Sequence, residues 1–363
     1  SDLDMPPFDK AMMDGYAVRS ADLSSGPAVL GVVEEITAGK TPTVALGPGK
    51  ASRIMTGAPT PRGADAVVMI ERCEVTGTDK VRVPGPVAAG TNVAPRGREL
   101  TTGETVLRAG HLLRAQEVGL LALVGWPTVR VHPLPEVAVL STGDELVGVD
   151  AKPGPGQIRN SNGPMLLAQV ANAGGRPRDL GIATDNIDSL RTRIMDGLRS
   201  PVLLLSGGVS AGKLDLVPDV LRGLGVEAHF HKIRIKPGKP LFFGTHRDTL
   251  VFGLPGNPVS SFVCFELFVR PALRQLRGFS AAPPAFVPLP LASEFTYDTD
   301  RPTYHPARVE QDAVSEQVQV VPWLGSPDLR ALTAAYALVL LSEGRHTYAA
   351  GQSLPVLRLD LGL

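Results

Sequence analysis

Cysteine is nearly absent from this chain: Cys73 and Cys264 are the only two in 363 residues. Two thiols form neither a disulfide framework nor a thiolate metal set, and in a chain of this size their scarcity suits a reducing cytoplasm. Net charge is missing as well, because 36 Lys and Arg balance 36 Asp and Glu. No overall field draws the protein to nucleic acid or to an anionic membrane, so any anion site has to be local. Long apolar runs are also lacking. The strongest one, ALTAAYALVLLS at 331–342, falls short of the roughly 18 residues of a membrane span, and no basic segment followed by an apolar one opens the chain as a secretory signal would. What is present, 43% hydrophobic and 20% charged residues, is the composition of a soluble globular protein. The length exceeds what one core fills, so two to four domains are expected.

Patterning divides the chain into segments of different character. From residue 16 to 97, short β-like runs such as AVLGVVEE and ADAVVMIE are broken by Gly and Pro, which predicts a small β domain. RAQEVGLLALVG at 114–125 places Val118, Leu121 and Ala122 on one helical face and ends at Gly125, a short helix between larger units. From 135 to 280, the strand-like EVAVLST, RPRDLGIA, PVLLLSGG, VEAHFHKIRI and TLVFGLPG occur, the first four separated by helical patterns. Such alternation predicts an α/β domain with a parallel sheet covered on both faces, closed by a long helix over 258–278. From 281 to 363 the runs are again β-like.

In an open parallel sheet, ligands bind beyond the carboxyl ends of the strands, and that rule selects the loops that matter. They carry Gly143, Asp144 and Glu145; Thr184 and Asp185; Gly207, Gly208, Ser210 and Asp215; Lys232, Lys236 and Lys239; and LPGNP with Pro255 and Pro258. Carboxylates crowded at strand ends are costly unless a divalent cation screens them, and hard oxygen ligands suit magnesium. Lysines beside them suit a phosphate or another oxyanion.

The stretch GGVSAGKL at 207–214 fits two further motifs. As G-x-x-x-x-G-K it is a P-loop, except that Leu214 stands where Ser or Thr would hold magnesium. As G-x-S-x-G it is a hydrolase elbow with Ser210 as nucleophile and Asp248 and His305 as later partners. A third reading, in which the glycines simply let backbone approach a phosphate or ring, fits the neighbouring loops best.

Six segments, in order along most of the chain, resemble the molybdenum insertase family, the molybdopterin molybdotransferases typified by MoeA and the gephyrin E domain. They are PPFDKAMMDGYAV (6–18), RIMTGAPTPRGADAVV (53–68), LSTGDEL (140–146), SGGVSAGKLD (206–215), IKPGKP (235–240) and GLPGNPVS (253–260). The resemblance implies an elongated bridging domain from 1–15 and 98–134, an inserted β domain at 16–97, a MogA-like three-layer α/β domain at 135–280 and a C-terminal β domain at 281–363. It implies insertion of molybdate into adenylylated molybdopterin, with magnesium, to give molybdenum cofactor and AMP. A cytoplasmic homodimer is implied, Asp14 and Thr56 reaching into the partner's site, with a molybdopterin adenylyltransferase as a further partner. Glu145, Asp185 and Asp215 would handle magnesium and the nucleotide phosphate. Gly207, Gly208, Ser210, Lys232, Lys236, Lys239 and Arg308 would bind substrate, with Pro255 and Pro258 shaping the adjacent loop.

The chain departs from the family pattern at three places. It opens almost directly on DMPPFD, without the helical segment that begins the bridging domain. Gly97-Arg98-Glu99 replaces the usual Gly-Glu-Asp, and Ala331 stands where relatives often carry Ser. Plainer roles are expected for several neighbours: Asp144 as the cap of a following helix, His229 and His231 as structural strand residues, Met12 and Met13 as packing residues and Cys264 as an inert buried thiol. A non-catalytic scaffold is the remaining alternative, although no linker or extra domain provides for it.

Overall fold

In the computed structural model the described residues are 1–208, 216–311 and 315–359. They form two compact units, Ser1–Arg130 and Val131–Leu363. Among them no helix is long and apolar enough to cross a membrane.

The first unit is built on a six-stranded sheet of β1 (Gly15–Val18), β2 (Ala28–Ile36), β3 (Lys50–Ile54), β4 (Ala66–Met69), β5 (Glu74–Val75) and β6 (Lys80–Val83). The order is β4-β1-β3-β2-β6-β5. Strand alternation buries both faces: Tyr16 and Val18 enter one apolar cluster, while Ala17 enters the other with Ile36, Ile54 and Val67. The beginning of the chain returns to the segment after this sheet, where Met5 and Leu100 form a β-bridge. Asp4 accepts hydrogen bonds from Thr102 N at 2.7 Å and from Arg96 Nε at 2.7 Å. Helix α1 (Ala115–Leu123) begins where Glu117 accepts from Arg114 N at 2.8 Å. Its Val118 is 59% exposed, and Met12 and Met13 are exposed rather than packed. These two methionines follow the short strand Lys10–Ala11, in which Ala11 is the buried residue instead.

The second unit contains β7 (Glu136–Thr142), α2 (Asn162–Asn172), β8 (Arg176–Ala183), α3 (Ile187–Gly197), β9 (Val202–Ser206), α4 (Val217–Gly223), β10 (Glu227–His231), β11 (Phe242–His246) and β12 (Thr249–Leu254). The sheet order is β8-β7-β9-β12-β11-β10. The near-continuous apolar runs of β7 and β9 are explained by burial on both sides. Ala138, Leu140, Leu203 and Leu205 pack against α3 and α4, whereas Val137, Val139, Val202 and Leu204 pack against α2 and the last helix. The result is three layers.

Two features differ from the sequence expectation. The sheet is not wholly parallel: β11, hidden in LFFGTH, runs antiparallel to both β12 and β10. This reversal makes β10 point the same way as β7, β8, β9 and β12, so its carboxyl end joins theirs. The long helix is also interrupted, as α5 (Pro258–Cys264), a π-helical turn over Phe265–Val269 and α6 (Arg270–Leu276). Within the turn, buried Glu266 accepts from Gln169 Nε2 at 2.7 Å and from Arg270 Nε at 2.5 Å, which satisfies a carboxylate that burial alone would penalise.

The C-terminal region is a five-stranded antiparallel sheet of β13 (Phe286–Pro290), β14 (Thr303–Gln311), β15 (Glu316–Val320), β16 (Ala337–Leu341) and β17 (Ser353–Arg358), in the order β13-β17-β16-β14-β15. A separate ladder pairs Phe295–Thr299 with Gly344–Tyr348. This region is joined to the α/β layers at several points. Val259 and Val263 of α5 pack with Leu338 and Leu357, and Lys236 bridges to Thr303 beside the start of β14.

Candidate active site

A pocket of about 760 Å³ opens at the carboxyl ends of β7, β9, β10 and β12, within the size range of small-ligand sites. Thr142 and Glu145 line it from the loop after β7, Gly207 from the turn after β9, Lys236 and Lys239 from the loop after β10, and Pro255 and Pro258 from the turn after β12. The C-terminal region closes another side with Arg301, Trp323 and Ser326.

The turn after β9 requires glycine. Gly207 has φ +94°, a left-handed conformation, and a Cβ there would lie 2.5 Å from the carbonyl oxygen of Thr142. Neither constraint can be relieved by a side-chain rotation. The result is backbone at the pocket wall with nothing between it and a ligand. Gly208 follows at φ +64° against Thr142 Oγ1 and Val217. At the neighbouring strand end, the Glu145 carboxylate folds back over Gly143, whose φ is +147°. The loops after β7 and β8 are clasped to each other: Asp185 N donates to Asp144 Oδ1 at 3.0 Å, and Asp144 N to Asp185 Oδ2 at 3.4 Å. Asp144 therefore does not cap a helix. The segment it precedes turns into the short strand Leu146–Val147 paired with Ile158–Arg159.

Asn162 ties three walls together. It begins α2 and is buried, and its Nδ2 donates to Ser206 Oγ at 2.9 Å and to the Gly256 carbonyl at 2.8 Å. Its Oδ1 and the hydroxyl of Thr142 are buried and have no hydrogen-bond partner among the described residues. Buried polar atoms are nearly always satisfied in a folded protein, so two orphans facing one pocket mark a place for polar ligand atoms or water.

The lysine loop is held rigidly. Ile233 N donates to the Lys239 carbonyl at 2.9 Å and Lys232 N to that of Leu241 at 2.8 Å. Lys236 N donates to Pro302 O at 2.9 Å, and Tyr304 N to Lys236 O at 2.7 Å. The Lys236 ammonium lies 5.4 Å from the centre of the Tyr297 ring, a favourable cation–π placement. Behind that ring His305 is buried among Phe295, Tyr297 and Trp323. Burial pushes its pKa down to about 4, so the imidazole beside this cationic loop is neutral at pH 7. Lys232 lines a second, smaller pocket rather than the main one.

The remaining expected residues are distributed as follows. Asp185 stands at the same sheet edge, clasped to Asp144. Arg308 does not reach the pocket: on β14 its neighbour Ala307 faces the core, alternation sends Arg308 to the other side, and its guanidinium pairs with Glu310. Asp14 and Thr56 belong to the first unit, where Thr56 donates through N at 2.7 Å and Oγ1 at 2.6 Å to Asp14 Oδ1. Those bonds hold the Asp14 carboxyl below its usual range. Ser210 and Asp215, with Leu214, lie outside the described residues. No group of three or more His, Cys, Asp or Glu side chains placed to hold a metal occurs among the described residues.

The hydrolase reading finds no support. Asp248 sits in the β11–β12 turn, at the opposite edge of the sheet, and His305 Nδ1 is occupied by the Pro306 carbonyl at 2.9 Å. Conversely, Arg301, Asn162 and Trp323 line the pocket without having been singled out for chemistry. Asn162 starts a helix beside the carboxyl edge of the parallel sheet, a position that also makes it a pocket residue. Arg301 and Trp323 come from loops of the C-terminal region, and no sequence spacing relates them to the α/β loops.

Comparison with known proteins agrees with this architecture. Family models match as the MoeA N-terminal region (domain I and II) over residues 1–125, a probable molybdopterin binding domain over 138–275 and the MoeA C-terminal region (domain IV) over 288–359. A molybdopterin molybdenumtransferase from Nostoc sp. is 36% identical, the match covering 99% of this chain and 85% of the relative. One from Staphylococcus aureus is 32% identical over 98% of this chain and 85% of the relative. Among solved structures, a molybdopterin biosynthesis MoeA protein from Pyrococcus horikoshii superposes with a TM-score of 0.82 at 32% identity, over 99% of this chain and 89% of that one.

Proposed function

Because this chain belongs to the molybdopterin molybdenumtransferase family, we propose that it is a transferase of molybdenum cofactor biosynthesis that inserts molybdate into adenylylated molybdopterin, releasing AMP. The observation that carries this reading is the convergence of Glu145, Lys236 and Lys239 on one pocket whose floor is bare backbone at Gly207. A substrate with a phosphoanhydride and an incoming oxyanion brings mutually repelling charges together. Cationic side chains fixed by their own backbone bonds stabilise that encounter without reorganising at the moment of reaction.

Lys236 and Lys239 neutralise oxyanion charge, Gly207 lets substrate approach backbone closely, and Pro255 and Pro258 shape the facing wall. Arg301 and Trp323 close the side contributed by the C-terminal region. The donor set suits magnesium: Glu145 is a carboxylate at the pocket, Asp185 stands at the adjacent strand end, and Asp215 follows the Gly207 turn in sequence. Magnesium needs only one or two protein carboxylates when substrate phosphates and water complete its shell. When bound, it would supply neutralisation of the phosphoanhydride and of the departing AMP. The Asp14–Thr56 pair, kept ionised by its own hydrogen bonds, fits the role of reaching into the site of a second subunit in a cytoplasmic homodimer. A molybdopterin adenylyltransferase would provide the substrate.

The test is release of AMP from adenylylated molybdopterin by the purified chain, with and without molybdate and magnesium. Molybdate-dependent release is expected, and Glu145→Ala should lower it by about 10²–10³-fold, the usual effect of losing one preorganised electrostatic group. Binding of the pterin with no AMP release under any condition would replace the transferase by a scaffold.

A further inference from the structure

The junction between α2 and the interrupted last helix buries a full ion pair. Leu166, Val170 and Ala173 of α2 share an apolar cluster with Phe265 and Val269 of the π-helical turn and Leu273 of α6, and beside them Glu266 is 5% exposed and the Arg270 side chain 15%. We propose that Glu266 is a positioning residue: acting through Gln169, it fixes the register of α2 against α5 and so holds Asn162 and the 255–258 turn at the spacing the main pocket needs. The inference rests on the proposed transferase reaction for its kinetic consequence, and on the following contacts for the clamp itself.

Arg270 and Gln169 share the carboxylate. Arg270 Nε donates to Glu266 Oε2 at 2.5 Å and Nη2 to Oε1 at 3.1 Å, while Gln169 Nε2 reaches Oε1 from α2 at 2.7 Å. The same Nε2 donates to the Phe262 carbonyl at 3.4 Å. Both bonds of the Gln169 amide therefore run to the facing helix, and its Oε1 is left buried without a partner among the described residues. Stability does not explain such an arrangement. Replacing a buried ion pair by packed apolar side chains is often neutral or stabilising, and the best-attested use of a retained pair is to select one register. An apolar contact is non-directional, whereas a hydrogen bond to one carboxylate oxygen fixes an angle and a distance.

The register so selected is felt at the pocket. Asn162 and Gln169 stand two turns apart on the same face of α2. Asn162 meets the Gly256 carbonyl at one end of that face, and Gln169 meets Phe262 and Glu266 at the other, about 10 Å away along the helix. On the opposing helix Pro258, which lines the pocket, is followed by Phe262 and Glu266 at four-residue steps. The two helices are thus pinned twice, once in the pocket wall and once in the core. The π turn supplies the phase. Arg270 N donates to the Phe265 carbonyl, five residues back, which resets the helix by about one residue, or about 100°. Val259 and Val263 before the turn face the C-terminal region, and Leu273 after it faces the sheet. Turns of this kind recur at functional sites.

Gln169→Met severs the clamp and leaves Glu266 paired with Arg270, so no charge is abandoned. Glu266→Leu combined with Arg270→Met replaces the pair by apolar volume and should melt at or above the wild-type temperature. AMP release is measured over a range of adenylylated molybdopterin concentrations, with molybdate and magnesium. We expect kcat to fall about tenfold or more in both proteins, because a misplacement of about 1 Å set up far from the chemistry costs up to about 10²-fold, while KM moves less than kcat. In a cycle with Asn162→Ala the losses should not add, since the substitutions release the same link. If one of the two proteins misfolds, the other decides. Wild-type kcat in a folded variant, a change confined to KM, or additive losses in the cycle would overturn the proposal, and so would failure of both proteins to fold, which would make the pair a stability element. If the wild type itself releases no AMP, the transferase reading fails and the clamp is judged by hydrogen exchange at 255–258 and the first turn of α2: faster exchange in Gln169→Met supports it, and equal exchange overturns it.

Discussion

The two edges of the central sheet are built from the same strands and treat the polar atoms around β7 in opposite ways. At the amino edge, Glu136 opens β7 and accepts from Ser200 Oγ at 2.9 Å and Arg176 Nη2 at 3.2 Å, while Arg178 Nη2 donates to both oxygens of Asp196 at 2.7 Å. These partners hold the Glu136 and Asp196 carboxyls below their usual range, Ser200 leading for the first and Arg178 for the second. At the carboxyl edge, the Thr142 hydroxyl and Asn162 Oδ1 are buried without partners among the described residues, and the turn at Gly207 is in a conformation other residues resist. A satisfied network has nothing left to offer a ligand; an unsatisfied one does. Around β7 the comparison points to the carboxyl edge, in agreement with the rule that strand carboxyl ends bind ligands, although His246 Nδ1 at the amino edge is also buried without a partner among the described residues.

The sharpest way to break the contrast is Gly207→Ala. The added methyl meets backbone, and φ +94° disfavours any L side chain, so the turn must move. We expect a loss of about 1–3 kcal/mol in stability together with a fall in AMP release of about 10²-fold or more, since misplacement of about 1 Å at a reacting centre has that effect. Thermal melts and AMP assays on the same preparation read both quantities. Wild-type activity in this variant would show that the turn does not form the reactive floor.

A smaller effect is expected from Asn162→Ala, which removes the link from α2 to Ser206 and Gly256. Two bonds are lost and the buried Ser206 hydroxyl and Gly256 carbonyl are left behind, a cost of about 1–3 kcal/mol by urea denaturation. Substrate affinity should fall as well, because the orphaned Oδ1 disappears with the side chain. A variant destabilised but with unchanged affinity would make Asn162 a purely structural clasp and weaken the argument from unsatisfied atoms.

The contrast also explains which parts of the molecule were legible in the sequence. β7 and β9 stand out as unbroken apolar runs because both their faces are buried, and Glu145 and Gly207 follow from them as strand-end loops, as Lys236 and Lys239 do from β10 and Pro255 and Pro258 from β12. β11 was hidden because only Arg247 and Asp248 separate it from β12, so the two read as one strand and its loop. Yet β11 is what aims β10, and hence the lysines, at the pocket. Asp144 reads as a helix cap because acid-before-apolar is the same signal whether a helix or a short strand follows. Arg308 is implied by the resemblance alone, and nothing in the sequence reveals which face of β14 it takes; that is fixed by which neighbours the sheet buries, here Ala307.

The smallest effect should come from the satisfied edge. Glu136→Gln keeps the shape and one acceptor but removes the charge from a side chain that is a third exposed, so solvent screening limits the stability loss to about 1 kcal/mol and AMP release should be unchanged. The pH dependence gives the sign. A carboxyl whose native pKa lies below its unfolded value contributes stability that is complete above the ordinary carboxylate range and disappears as pH falls through the native value. Wild type should therefore lose melting temperature on acidification to below about pH 4, and Glu136→Gln should lose less of it over the same interval. Equal acid sensitivity in the two proteins would mean that the Ser200 and Arg176 contacts do not favour the charged carboxylate in solution, and the claim that this edge is electrostatically complete would fail with them.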